Sequence, residues 1–479
     1  MIDTKALRSR ILDLAIQGKL TEQLESDGTA EELYQQIQAE KRKLIKKEKV
    51  TFKPIEAISN DILFELPKSW KYVRFGDVAY IVRGGSPRPI KAYITDSADG
   101  INWIKIGDVE KGGKYIYSTK EKIKPEGEKK SRRVYPGDFL LTNSMSFGRP
   151  YISKIEGCIH DGWLLIRNLN GFDVDFLYHI LSSAYLSSQF KDKASGSTVE
   201  NLNIDKVNSA IIPLPPLAEQ KRIVERVEEI FRLLDTIDQA QEKYSADSQI
   251  LKAKLITAGI QGKLTKQLES DGTAHELYQQ IQKEKQKLIK EGKIKKEKPL
   301  PPISHDEIPF EIPQNWMWVR LSNIIDVRDG THDSPKYHSE GIPLITSKNL
   351  SSGKLDFENV KLISYEDAKK INERSYVENG DILFAMIGTI GNPVIVDTDK
   401  DFCIKNVALF KRYKGSDFNM NYLYYFLLME QYEMQKITLG GLQPFVSLKQ
   451  FRSHTIPLPP LAEQKRIADV LERVLGVFE

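Results

Sequence analysis

Residues 15–49 read AIQGKLTEQLESDGTAEELYQQIQAEKRKLIKKEK, and residues 259–293 read GIQGKLTKQLESDGTAHELYQQIQKEKQKLIKEGK. The two stretches agree at 28 of 35 positions, at an offset of 244. A second block, IPLPPLAEQKRI, stands at 212–223 and recurs unchanged at 456–467, at the same offset. One unit is therefore written twice in this chain. Between the blocks the halves diverge but keep a skeleton. Pro67 and Trp70 with Val73-Arg74 answer to Pro313 and Trp316 with Val319-Arg320. Val82-Arg83-Gly84-Gly85 is matched with Val327-Arg328-Asp329-Gly330, Gly137-Asp138 with Gly380-Asp381, Gly148 and Pro150 with Gly391 and Pro393, and Cys158-Ile159 with Cys403-Ile404. A shared scaffold with divergent loops is the pattern of one fold reading two different targets.

Working outward, the chain of 479 residues is too long for one ordinary core. Forty per cent hydrophobic and 28% charged residues describe a globular chain. No apolar run approaches the ~18 residues of a membrane span, and the first residues, MIDTKALRSRILDLAIQGKL, lack the pattern of a secretory signal. Two cysteines, Cys158 and Cys403, argue against a disulfide framework or Cys-rich zinc site and fit a reducing cytoplasm. The seven histidines form no HxxxH or HxH pair, so no metal site is expected. The net charge of +4 is unevenly spread: residues 51–212 hold 23 Lys/Arg against 19 Asp/Glu, and residues 301–456 hold 17 against 20. A general nucleic-acid coat would be far more basic. Any contact with DNA must come through local loops. One basic cluster, Lys120, Lys122, Lys124, Lys129, Lys130, Arg132 and Arg133, reads as a solvated turn ahead of a phosphate grip.

The repeated blocks read as helices. After the prolines at 213–216, Ile223, Val227, Ile230, Leu234 and Ile237 follow a 4-3-4-3 spacing that continues through Gln241, Tyr244, Ser248, Leu251, Leu255 and Ala258. A sustained 3.5-residue period predicts a long helix packed on a partner helix. Ile467, Leu471, Val474 and Phe478 repeat its first half, and Leu7, Ile11 and Leu14 its second, so the repeat is circular and the chain is cut inside one helix. Shorter helices are expected near 29–48 and 273–291, opened by capping boxes at Thr29/Glu32 and Thr273/Glu276. The expected layout is an N-terminal helical region at 1–64, a mixed α/β domain at 65–212, a central helical spacer at 213–309, a second mixed α/β domain at 310–456, and a closing helix at 457–479. Within the domains, strands are expected at Phe139–Thr142, Leu164–Arg167, Ile382–Met386 and Ala408–Lys411, and helices at 173–190 and 419–436.

Chemistry-bearing motifs are missing. Each Gly-Lys lacks the following Ser/Thr of a Walker loop, and neither a Gly-x-Gly-x-x-Gly helix start nor a Gly-x-Ser-x-Gly elbow occurs. His332 and Asp333, in a Gly-Thr-His-Asp-Ser-Pro turn, read as hydrogen-bonding residues ahead of a catalytic dyad. The chain is expected to perform no catalysis, to hold no metal and to bind no cofactor itself.

Two divergent domains of ~150 residues, separated by near-identical helices bearing IPLPPLAEQKRI and IQGKL, resemble the specificity subunit of type I restriction–modification systems. The resemblance covers essentially the whole chain. It implies an α+β architecture in which two target recognition domains are separated by long antiparallel coiled-coil helices with a pseudo-two-fold, circular repeat. It implies that each domain reads one half of a bipartite, asymmetric double-stranded DNA target, and that the helices set the gap and dock two methyltransferase subunits. Those partners bind S-adenosylmethionine and methylate adenine, and two restriction subunits using ATP and Mg can join them. The resemblance places the chain in the cytoplasm, with no membrane partner. The rival reading is a repeat-built structural adaptor that binds protein partners and not DNA.

Base reading needs donors and acceptors on loops held by a rigid scaffold. The loop residues that qualify in the first domain are Arg83, Ser86, Arg88, Lys105, Asp108, Asn143, Ser144, Ser146, Arg149, Ser195 and Ser197. In the second they are Thr331, His332, Asp333, Lys336, Ser347, Lys348, Asn349, Thr389 and Gln443.

Overall fold

The computed structural model describes residues 1–479 except 49, 51, 53, 59–63, 111, 144–147, 193–201, 203, 389, 439–444 and 479. The chain divides into two compact units, Met1–Glu242 and Lys243–Glu479, and the division falls inside the long helix Leu217–Ile260.

In the first unit the apolar runs become a five-stranded sheet ordered Ala79–Arg83, Trp163–Asn168, Phe139–Thr142, Pro150–Ser153, Tyr115–Ile116. Alternation along its central strands builds two cores. Phe139, Leu141, Leu164 and Ile166 face the helices, while Leu140, Trp163 and Leu165 face a second five-stranded sheet, Ile94–Thr95, Glu121–Ile123, Ile101–Ile104, Gly157–Ile159, Arg132–Val134. With both faces covered, these strands are apolar throughout, which made them visible as runs. The second unit repeats this with four-stranded sheets: Ile325–Asp329, Val407–Arg412, Ile382–Ala385, Gly391–Ile395, and Tyr337–His338, Lys361–Ile363, Ile342–Ile345, Cys403–Ile404. Ile382, Phe384, Ala408 and Phe410 join the helical core, and Leu383, Ala385, Val407 and Leu409 the other. Each unit is closed by a two-stranded antiparallel ribbon, Lys71–Arg74 with Ile211–Leu214 and Met317–Arg320 with Thr455–Leu458.

Sheet register corrects one sequence match. Arg83 pairs with Leu164 and Asp329 with Ala408, while Leu141 and Phe384 pair with those same partners. Arg83 therefore corresponds to Asp329, not Arg328, and Gly84 to Gly330. Because side chains alternate with period two, that slip of one residue reverses which of them face the core.

The helices match expectation in place more than in packing. Both capping boxes form: Thr29 N and Thr273 N each donate to the glutamate three residues on at 2.9 Å. The expected helix over 173–190 is broken at Ser183, whose hydroxyl donates to Ile180 O at 2.6 Å and accepts from Leu186 N at 3.2 Å. Its counterpart Met420–Thr438 runs unbroken. In the first unit the opening helix Thr4–Ile16 lies antiparallel on the long helix, with Thr4 Oγ1 on Asp238 and Arg8 on Asp235 and Asp238. In the second the closing helix Leu461–Leu475 lies antiparallel on it, with Ile467 and Leu471 against Gly259.

The seam differs from the 3.5-residue reading. Ile223, Val227, Leu234, Ile467 and Leu471 are buried as expected, and Ile230, Ile237, Leu255, Val474 and Ile11 are half-buried. Leu7 and Leu251 are exposed; the buried positions are instead Leu12, Ala15 and Ile16, and Ile256 and Ile260. The opening helix packs on the helices Val174–Ser182 and Ala184–Asp192 as well as on the long helix, so its buried face is rotated and not a single stripe. The long helix, 44 residues or about 66 Å at ~1.5 Å per residue, also outruns partners of 13 and 15 residues. Its middle, Glu242–Leu251, is largely exposed, with Tyr244, Ile250 and Leu251 in the open.

Candidate nucleic-acid interface

What the repeated blocks do is visible in the first unit. Glu219 of the PLPPLAEQKRI block is fully buried. Its carboxylate accepts from Trp70 Nε1 at 2.7 Å, Thr21 Oγ1 at 3.2 Å and Gln23 Nε2 at 2.9 Å. Gln220, also buried, accepts from Asp173 N and donates to Gly171 O and Pro215 O. Arg222 clasps the buried Asp27 through both terminal nitrogens, at 2.8 and 2.6 Å. Gly18 adopts φ 68°, and a Cβ there would meet the Pro67 ring at 2.5 Å, so only glycine fits under the Pro-x-x-Trp opening. The IQGKL block, the Pro-x-x-Trp opening and the PLPPLAEQKRI block are thus three parts of one polar junction.

The second unit rebuilds that junction with the equivalent residues. Glu463 accepts from Trp316 Nε1 (2.9 Å), Thr265 (3.0 Å) and Gln267 (2.8 Å). Gln464 accepts from Asn419 N, Arg466 clasps Asp271 at 2.9 and 2.5 Å, and Gly262 lies under Pro313. The guanidinium beside each aspartate holds its carboxyl below the usual carboxylate range. A buried carboxylate with three donors cannot lose one partner without leaving others unsatisfied, which accounts for the near-identity of these blocks.

The candidate reading residues lie elsewhere, on loops following strand ends. In the first unit they converge on a residue outside the candidate set, Asp161. Its carboxylate accepts from Ser86 Oγ at 2.7 Å and Arg88 Nη2 at 3.3 Å, and its carbonyl accepts from Arg83 Nε and Asn143 Nδ2, each at 3.0 Å. The Ser86 hydrogen bond draws the Asp161 carboxyl below its ordinary pKa against the opposing effect of burial. Neighbouring His160 accepts from Gly162 N at 2.7 Å, and burial lowers its pKa. The Arg88 side chain is 79% exposed, so most of its donors face outward.

In the second unit the cluster forms around Asp329. Its nearly buried carboxylate takes Arg374, from the helix Tyr365–Ser375, and His332 Nε2 at 2.9 Å, while His332 Nδ1 meets Asn406 Oδ1 at 2.9 Å. Lys405 binds Ser334. A cavity of about 340 Å³ beside it is lined by Thr331, Asp333, Ser334, Pro335, Lys370 and Arg374 among others. His332 is thus a hydrogen-bonding residue of this turn, as expected, with Asp329 and not Asp333 as its carboxylate.

Several candidates are corrected. Asn143 and Asn349 are buried, and Asn349 is consumed by Thr346 N, Thr346 Oγ1 and Asp356 O. Asp108 accepts from the backbone at Lys105 and Lys120, and Lys105 pairs with Glu121. These hold loops in shape. Short polar residues in turns satisfy neighbouring backbone first, which the sequence alone does not distinguish from a free edge. Arg149 lies over the Tyr151 ring; Asp333 and Lys336 are exposed in the 330–336 loop, and Lys348 is exposed beside half-buried Ser347. Ser144, Ser146, Ser195, Ser197, Thr389 and Gln443 lie outside the described residues. In the basic cluster, Lys120, Lys124 and Lys130 bind Gly107 O, Ala92 O and Tyr93, and Arg133 pairs with Glu156, so much of it braces neighbouring loops. The signal that would have revealed Asp161 is its place in the loop directly after Cys158-Ile159, next to the shared strand skeleton.

Among the described residues no group of three or more His, Cys, Asp or Glu could hold a metal, and no helix is long and apolar enough to cross a membrane. The family model described as "Type I restriction modification DNA specificity domain" matches residues 67–243 and 313–478. The specificity subunit of the type I restriction enzyme EcoAI of Escherichia coli is 29% identical, over 98% of this chain and 89% of its own length. That of EcoEI, from the same species, is 26% identical over 99% and 89%. Among solved structures, a chain of a type I R-M system aligns with TM-score 0.61 at 19% identity, covering 87% of this chain and 93% of that one. The HsdS subunit from Thermoanaerobacter tengcongensis aligns with TM-score 0.51 at 19% identity, covering 86% and 91%.

Proposed function

This chain belongs to the family of type I restriction–modification DNA specificity subunits, and from that we propose that its two units read the two halves of one bipartite DNA target. Its sheet-rich parts are DNA target recognition domains. Specificity subunits act with DNA and with methyltransferase and restriction subunits, and are themselves non-catalytic. In this reading two methyltransferase subunits dock on the helices, S-adenosylmethionine, ATP and Mg belong to the partners, and the assembly works in the cytoplasm.

The observation that carries the reading is a single junction built twice, in two units that carry different polar loop clusters. A protein-binding adaptor has no need for loop clusters rich in arginine, histidine and hydroxyl groups at strand ends, whereas groove reading requires such donors and acceptors. The long helix that the two units share serves as the ruler. The test is methylation mapping of DNA modified by the assembled complex. With residues 310–456 replaced by another recognition domain, one half of the target should change and the other persist. If both halves changed, the two-reader model would be wrong. If the chain and its methyltransferase partners bound DNA without sequence preference, the adaptor reading would replace it.

A further inference from the structure

We propose that one carboxylate in each unit, Asp161 in the first and Asp329 in the second, is a specificity-determining positioning residue that holds the reading side chains of its own half-site. The proposal rests on the DNA-recognition reading above and deepens it.

Both reading loops leave the sheet through the same narrow gate. A Cβ on Gly84 would meet His160 O at 2.1 Å, and one on Gly330 would meet Ile404 O at 2.2 Å. Flanking the gate, the strand end carries opposite charges in the two units. By sheet register Arg83 corresponds to Asp329, and the loop residues that follow the facing strand, His160 and Lys405, donate their N–H to the equivalent Ile104 O and Ile345 O. The acid therefore stands on the loop in the first unit, at Asp161 one residue past His160, and at the strand end in the second.

The partners follow the acid. From the loop, Asp161 reaches Ser86 and Arg88. From the strand, Asp329 reaches His332 and, across to the neighbouring helix, Arg374. In each case the acid is the better-buried member of the pair and the guanidinium the more exposed: 45% against 79% for Asp161 and Arg88, 6% against 63% for Asp329 and Arg374. An arginine held from behind by a carboxylate keeps its remaining N–H donors directed outward in a fixed plane, which is what bidentate recognition of a base edge or phosphate needs. Placing the acid on the loop in one unit and at the strand end in the other therefore re-aims the donors without altering the scaffold.

The test uses the full chain assembled with its methyltransferase subunits and a DNA library randomised over both half-sites, with methylated sequences read out. Asp161→Asn keeps the shape and an acceptor for Ser86 but removes the charge behind Arg88. It should relax base preference at one or more positions of one half-site by at least tenfold, leave the other half unchanged, and be restored in part by Asp161→Glu. Asp329→Asn should do the same to the other half. Because Asp329 is nearly buried and its variant could misfold, the exposed changes Arg374→Gln and His332→Gln provide a second route and should reproduce its effect. Wild-type preference in all variants would overturn the proposal, as would relaxation of both halves by any one of them, which would mark a fold defect. A wild-type complex with no sequence preference would instead remove the recognition reading, and this proposal with it.

Discussion

The two units agree where they are held and differ where they read. Glu219 and Glu463 bind the same three side chains in the same order. At the reading face the acid changes place, Gly162 of one turn corresponds to Asn406 in the left-handed region at φ 54° in the other, and sheets of five strands are replaced by sheets of four. The contrast teaches where freedom lies. A buried carboxylate with every donor accounted for cannot drift without leaving a polar group unpaired, whereas a loop at a strand end satisfies its backbone in many ways.

The largest expected effect tests whether the two readers are independent but spaced. Four residues inserted within Glu242–Leu251, about 6 Å at ~1.5 Å per residue, should abolish modification of the original target. They should create a target with the same half-sites and a gap longer by one to two base pairs, at ~3.4 Å per step. Altered bases at an unchanged gap would break the ruler model.

Next comes the equality of the junctions. Glu219→Ala and Glu463→Ala should each destabilise its own unit by about 3 kcal/mol, through three donors left without an acceptor. Hydrogen exchange resolved by unit measures this, and a marked inequality would show that the junctions are not equivalent.

A smaller effect separates the units by pH. His179, whose Nε2 is enclosed without a hydrogen-bond partner, has its pKa lowered by burial from 6.5 to about 4. By the shared caps at Asp173 and Asn419, its counterpart in the second unit is Tyr425. The unfolded chain protonates this histidine first, so the first unit should lose stability as pH falls from 6.5 towards 4, by about 2–3 kcal/mol. The second unit should lack this loss, and His179→Phe should abolish it in the first. Below pH 4 both units should weaken alike. Asp27 and Asp271 have lowered pKa values, so their contribution is present above the ordinary carboxylate value and lost as pH falls through the folded one. Unit-resolved melting against pH checks both.

The smallest expected effect concerns a single exposed cation. Arg88→Ala should relax base preference in its own half-site, as Asp161→Asn does, and weaken binding to the preferred target by about 1 kcal/mol. Arg374→Ala should act likewise on the other half, and titrations against matched and mismatched half-sites check both.

Much of the fold was legible in the residues because the features responsible are local or repeated. Strands buried on both faces announce themselves as apolar runs, Thr29 and Thr273 announce helix starts, and a block such as IPLPPLAEQKRI written twice announces a duplicated unit. The family followed from the same blocks. Tertiary structure alone decided the rest. It turned Leu7 and Leu251 outward because the helices have more than one neighbour and unequal lengths. It made Asp329, and not Arg328, the counterpart of Arg83, a register that only strand pairing fixes. It buried Asn143 and Asn349 and exposed Arg88 and Arg374, because whether a polar side chain faces its own backbone or solvent depends on which loop lies beside it. And it gathered Ser86 and Arg88, Asn143, and Asp161, from three separate loops, at one end of one sheet, because hydrogen-bonded strand order, and not sequence order, determines which loops become neighbours.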